Sequence, residues 1–277
     1  MARPGTAQPR LASGTAMLEG AAVAMLSVVV VLFLALPIIG VLDKAFRNAD
    51  FLDSVSSAAA TDALRLSAIT TAISLALIIG LGTPLAYVLA RSRFPGYQVI
   101  DTLVDLPMVL PPAVGGLGLL MAFGRRGLIG GWLDDAGIEL AFTTTAVIMA
   151  QTFVASPLYI RAAKAGFESV SAELEDVSYT LGMSRTRTFL RVAVPLARPS
   201  LLAGAVMAWA RALGEFGATI MFAGSIQGRT QTLSLAIYRS LETGLDVPLA
   251  LSAVLILVSF AVLIVFRILA RRSAVYI

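Results

Sequence analysis

The chain has 277 residues, 58% of them hydrophobic and only 14% charged, with a formal net charge of +4; soluble domains carry roughly 25% charged residues, so this composition is that of an integral membrane protein. It has neither Cys nor His, which excludes a disulfide framework, a Cys/His zinc site, a Cys nucleophile and a Ser/His/Asp triad. Its two lysines, Lys44 and Lys164, end no Gly-rich phosphate loop, so any energy from ATP has to come from a partner, and the basic excess reads as arginine gathered at membrane edges rather than a nucleic-acid surface.

Six apolar stretches are long enough to cross a hydrocarbon core of about 30 Å, which takes roughly 20 helical residues. They run over residues 21–42, 66–90, 103–123, 141–160, 200–222 and 249–266. Arg3 and Arg10 precede the first, as in a signal peptide, but the apolar run exceeds the usual 7–15 residues of such a segment, and a retained span is expected. With the N-terminus in the cytoplasm, Arg91, Arg93, Arg161, Lys164, Arg185, Arg187, Arg191, Arg198, Arg267, Arg271 and Arg272 join Arg3 and Arg10 inside. Lys44, Arg47, Arg65, Arg125, Arg126, Arg229 and Arg239 fall outside. That bias predicts both termini in the cytoplasm, with the whole chain as one transmembrane domain.

The third stretch contains Pro107, Pro111 and Pro112 with Gly115, Gly116 and Gly118. Such a run disrupts backbone hydrogen bonding, which membrane depth tolerates only where protein or a water-filled cavity satisfies the freed groups. Two readings follow: a kinked helix whose glycines allow close packing, or a broken segment lining a pathway.

Between the fourth and fifth stretches, the loop at 171–199 carries Leu174, Val177 and Leu181 at helical spacing. Glu173, Glu175 and Asp176 stand in its first turn, and Gly182 is placed to end the helix. A second short helix is predicted from Ser184, with Arg185, Arg187 and Arg191 on a basic surface, stopping before Pro195 and Pro199. Two amphipathic helices of this kind suit either an interfacial position on anionic lipid or a protein dock.

In the fifth stretch Arg211 and Glu215 stand four residues apart. A lone charge at a helix centre costs roughly 2.5–3.5 kcal/mol on insertion scales, whereas an i, i+4 pair on one helical face can neutralise itself. Gly204, Ala208 and Ala212 form one row of small residues and Gly214 and Ala218 a neighbouring one, predicting a face packed on another helix. The pair is then either a buried ion pair orienting helices or part of a gate that rearranges.

The loop resembles the coupling loop of ABC-importer permeases, whose pattern is E-A-A, three residues, Gly, nine residues, Ile-x-Leu-Pro. Asp176-Val177-Ser178 stands at the E-A-A position, Gly182 follows, and Val192-Ala193-Val194-Pro195 closes the pattern. Over residues 64 to 262 the chain is also similar to molybdate permeases, with sulfate and tungstate permeases as near relatives; "LPMVLPPAVGGLGLLMAFGRRGLIG" and "RALGEFGATIMFAGSIQGRTQTLSLAIY" carry that likeness.

The resemblance implies an all-α membrane protein of six transmembrane helices with a cytoplasmic coupling-helix loop, the type I ABC-importer permease architecture. It implies a homodimer in the inner membrane, paired with two copies of an ATPase and supplied by an extracytoplasmic oxyanion-binding protein. The expected docking loop comprises Asp176, Val177, Ser178, Gly182, Val192, Val194 and Pro195. Arg211, Gly214, Glu215, Gly217, Pro111 and Pro112 are the expected gate, and Arg229 with Thr230 an expected outer docking or entry surface. No cofactor, metal or catalytic residue is implied. The rivals are a sulfate, thiosulfate or tungstate permease within the same class, an ion-gradient-driven secondary transporter, and an intramembrane enzyme, which would lack His and any cluster of acidic residues within the spans.

Overall fold

The computed structural model describes residues 12–274; Arg3 and Arg10 lie outside it, as do the side chains of Arg267, Arg271 and Arg272. In chain order the helices are α1 (Ala12–Arg47), α2 (Phe51–Ser56), α3 (Ala58–Arg91), α4 (Tyr97–Val109), α5 (Pro112–Phe123), α6 (Gly130–Asp135) and α7 (Thr144–Ser169). They continue as α8 (Ala172–Thr180), α9 (Arg185–Thr188), a wide π-turn (Phe189–Ala193), α10 (Val194–Leu213), α11 (Gly217–Phe222), α12 (Leu233–Ser240) and α13 (Asp246–Ala274). Among the described residues, five segments are long and apolar enough to cross a membrane: Glu19–Arg47, Ala58–Arg91, Thr144–Ser169, Arg185–Leu213 and Asp246–Phe266. A sixth exists only as the α4–α5 pair, bent by 119°.

The expected spans need correction at three places, each for a local reason. The stretch 103–123 is two helices rather than one. Leu110 precedes a proline and is driven to extended backbone (φ −70°, ψ 136°), Pro111 follows it (φ −53°, ψ 132°), and Pro112 opens α5 at a position where a missing N–H breaks no bond.

The second loop helix does not stop before Pro195. It runs on through Pro195 and Pro199 as one rod, Arg185–Leu213, of about 43 Å at 1.5 Å per residue. The wide turn makes this possible: the Val194 N–H reaches back five residues to the Phe189 carbonyl, and Pro195 then sits in the opening turn of α10.

The stretch 200–222 breaks after Leu213, so Ala218 belongs to α11 rather than to a row shared with Gly214. Gly214 and Phe216 leave helical geometry (φ −84°, ψ 7° and φ −127°, ψ −52°), and the Glu215 carboxylate takes the Ala218 N–H that a continuing helix would have given to a carbonyl.

The core lies where α7 is clasped between α3 and α10. Tyr159, Phe167, Leu89, Ile78, Ala208 and Ala212 are buried there, and the predicted small row of α10 faces α7, because a methyl at Gly204 would stand 2.8 Å from Ala162 Cβ. The same device operates at Gly166, where a methyl would meet Ser200 Cβ at 2.5 Å, and at Gly82, against the Tyr159 ring at 3.0 Å. Without a hydrophobic force between helices in lipid, this backbone approach supplies the dispersion contacts that hold them. A second cluster joins α5, α7 and α11 through Leu119, Val147, Val154 and Phe222, and a third joins α3, α12 and α13 through Ala63, Leu233 and Leu251.

Candidate functional site: a clamped loop and a double helix break

The loop is clamped to the end of α3. Glu175 Oε1 accepts from Arg91 Nε at 2.9 Å and Nη2 at 2.7 Å, Oε2 accepts from the Tyr87 hydroxyl at 2.6 Å, and Arg91 Nη2 also donates to the Val170 carbonyl at 2.8 Å. The acid is buried and the arginine nearly so (side chains 7% and 19% exposed). A two-pronged charge-assisted bond of this kind is among the strong ones.

Within the loop, Ser171 caps α8 through the Glu173 N–H and Ser184 caps α9 through the Arg187 N–H. Gly182 closes α8 in the left-handed region (φ +82°), its N–H donating to the Tyr179 carbonyl while the Met183 N–H reaches the Ser178 carbonyl. That paired closure is the reason a glycine stands there. Ser178 is buried, donates to the Glu175 carbonyl and shares a 2.7 Å bond with Thr188, stitching the two halves of the loop together. Asp176, Val177 and Leu181 point outward, Val192 and Val194 are half-buried, and Pro195 is exposed.

The far end of the rod meets the other break. A methyl at Gly116 would stand 2.5 Å from the Ala218 carbonyl oxygen, and one at Gly217 would stand 2.9 Å from Pro112 Cβ, so α5 and α11 touch backbone to backbone beside their breaks. The structure thus sets Gly217 against Pro112, two of the residues expected at a gate; Pro111 stands at the head of α5, and Gly214 and Glu215 form the turn that leads into α11. Arg211 closes the last turn of α10, with Nη1 2.6 Å from Glu215 Oε2. The pair exists, but it spans a helix end and a turn rather than one helical face. It is also uneven: Glu215 is 1% exposed and Arg211 31%.

Two features escaped the sequence reading. Glu175, which the sequence presents as a helix-dipole charge, is the buried anchor, while its neighbour Asp176 is exposed. The signal lay in charge complementarity: α3 ends in Arg91 close to an acidic first turn. Likewise Arg161 bonds Asp105 through Nε at 2.5 Å and Nη2 at 2.6 Å and Asp101 through Nη1 at 2.7 Å, and Lys164 joins Asp101 at 2.9 Å, tying α4 to α7. In the connection between α11 and α12, Arg229 is exposed beside a cavity of about 360 Å³ that Arg125, Asp134 and Glu139 also line. Thr230 is buried and accepts the Ile226 N–H, so it offers no surface.

Over 234 residues the chain is 43% identical to the molybdenum transport system permease protein ModB of Mycobacterium tuberculosis, covering 84% of this chain and 88% of that one. It is 40% identical over 208 residues to a probable transport system permease protein, NifC, of Clostridium pasteurianum, covering 74% and 72%. Its fold matches a chain of a bacterial alginate ABC transporter solved in complex with an alginate-bound periplasmic protein, at a TM-score of 0.73, 18% identity and coverage of 95% and 98%. Residues 82–275 match the family model of the binding-protein-dependent transport system inner membrane component, and the chain belongs to that family.

Proposed function

We propose that the chain is the membrane-spanning subunit of an ATP-driven molybdate importer, moving the oxyanion inward by alternating access. Its likeness along most of its length to ModB supports the cargo. The observation that carries the mechanism is the unbroken rod Arg185–Leu213, which joins the clamped loop directly to the double break. A separate ABC-type ATPase, in two copies, docks on the exposed loop residues Asp176, Val177 and Leu181, and its closure on ATP moves the rod and with it the break.

Two copies of the chain face each other across α10. Ala203, Met207, Ala210 and Gly214 are exposed along one side of it at helical spacing, beside half-exposed Arg211, so a second copy there encloses a pathway. Both termini lie in the cytoplasm, and an extracytoplasmic binding protein delivers the anion to the outer loops around Arg229. The chain itself performs no covalent chemistry.

The test is uptake of radiolabelled molybdate by proteoliposomes holding the complete transporter, with the binding protein outside. Gly182→Asp, which adds a charged side chain at the left-handed turn that closes α8, and Asp176→Arg should each abolish ATP-coupled uptake; uptake left intact overturns the coupling assignment. Sulfate or tungstate displacing molybdate at equal concentration reassigns the cargo. Uptake that persists without the ATPase and collapses with an uncoupler makes the protein a secondary transporter.

A further inference from the structure

The two members of the Arg211–Glu215 pair are held very differently. Glu215 is fixed: it is buried, its Oε1 accepts the Ala218 N–H at 2.7 Å, its own N–H donates to the Ala212 carbonyl, and the neighbouring Gly217 leaves no room against Pro112. Its Oε2 is buried and has Arg211 Nη1, 2.6 Å away, as its ion-pair partner. Arg211 sits at a helix end on the exposed side of α10, and among the described residues its guanidinium donates no hydrogen bond to protein.

A guanidinium has five N–H donors in a fork that fits two oxygens of a carboxylate or of a tetrahedral oxyanion equally well. We propose that Arg211 is the cargo-contacting residue of the pathway and that Glu215 is a fixed internal competitor: a passing oxyanion dianion takes the guanidinium from the carboxylate, and the carboxylate takes it back. This rests on the transport reading above and specifies the ligand chemistry at its gate.

The physical consequence is a site that recognises the anion without retaining it. With Glu215 in place the pair is neutral, and a bound dianion leaves a buried carboxylate uncompensated and repelled, so occupancy is brief. Without that charge the dianion faces an unopposed cation in a low-dielectric setting and stays.

Glu215→Gln isolates the charge, because the amide oxygen still accepts the Ala218 N–H and preserves the turn. Radiolabelled molybdate and radiolabelled sulfate are each titrated onto the complete permease–ATPase complex in nanodiscs, without binding protein, for wild type, Glu215→Gln and the double variant Arg211→Gln with Glu215→Gln. The expected result is weak retention by wild type, retention about tenfold tighter or more in Glu215→Gln, and a return to the wild-type level or below in the double variant, with molybdate uptake turnover in Glu215→Gln slowed. Equal retention of both anions by all three proteins overturns the exchange and leaves Arg211–Glu215 a packing pair. The pattern appearing for sulfate and not for molybdate supports the exchange while overturning the cargo. If Glu215→Gln fails to assemble, Arg211→Lys, which keeps the charge and loses the fork, and Arg211→Gln carry the same titration: retention unchanged from wild type in both overturns the proposal.

Discussion

Around the loop end of the rod, Glu175 uses both carboxylate oxygens, on Arg91 and Tyr87, and Ser178 and Thr188 share a bond. Around the far end, Glu215 has a hydrogen bond on one oxygen only, and the buried Thr219 hydroxyl has none. The other oxygen of Glu215 stands 2.6 Å from Arg211 Nη1 instead, so a single ion pair holds the far end where a hydrogen-bonded network holds the clamp. In the mechanism proposed above, a push on the loop travels along the rod from the end held by a network to the end held by one ion pair.

Substitutions at the two ends should therefore differ in kind. The largest effect is expected from Arg91→Met, which strands the buried Glu175 carboxylate; a loss of about 3 kcal/mol or more should appear as a lowered Tm of the detergent-solubilised transporter. A loss below about 1 kcal/mol would mean that the clamp is no firmer than a surface ion pair. Next comes Gly116→Val, whose side chain collides with the Ala218 backbone and should cost about 1–3 kcal/mol and separate α5 from α11. Gly118→Val, with open space around it, is the control, and equal effects in both would remove the close approach from the account. The smallest is Ser178→Ala, which loses the bonds to the Glu175 carbonyl and Thr188 for about 1 kcal/mol. Its signature should be more ATP hydrolysed per anion delivered, which a merely looser loop end would produce and an intact one would not.

Much of this was legible from local pattern. The five long apolar spans, the turn at Gly182, the row of Gly204, Ala208 and Ala212 facing a helix, the disrupted third stretch and the pairing of Arg211 with Glu215 all follow from residues within a few positions of one another. The break after Leu213 did not, because Gly214 and Phe216 in apolar surroundings read as helix until a carboxylate is seen taking the Ala218 N–H. The passage of the rod through Pro195 was also hidden, since proline predicts a stop and only the wide turn before it removes the conflict.

What the amino-acid order determined by itself is the class of molecule and the rough placement of its membrane segments, because hydropathy and turn chemistry act over one helical turn or one bilayer crossing. What the tertiary structure decided is which acid is buried and which glycines must be glycine. Glu175 rather than Asp176 became the anchor through an arginine 84 residues away, and Gly116 carries its constraint from the Ala218 carbonyl on another helix. Contacts of that range exist only once the chain has packed, since a buried charge and a close backbone approach are defined by the partner and not by the residue.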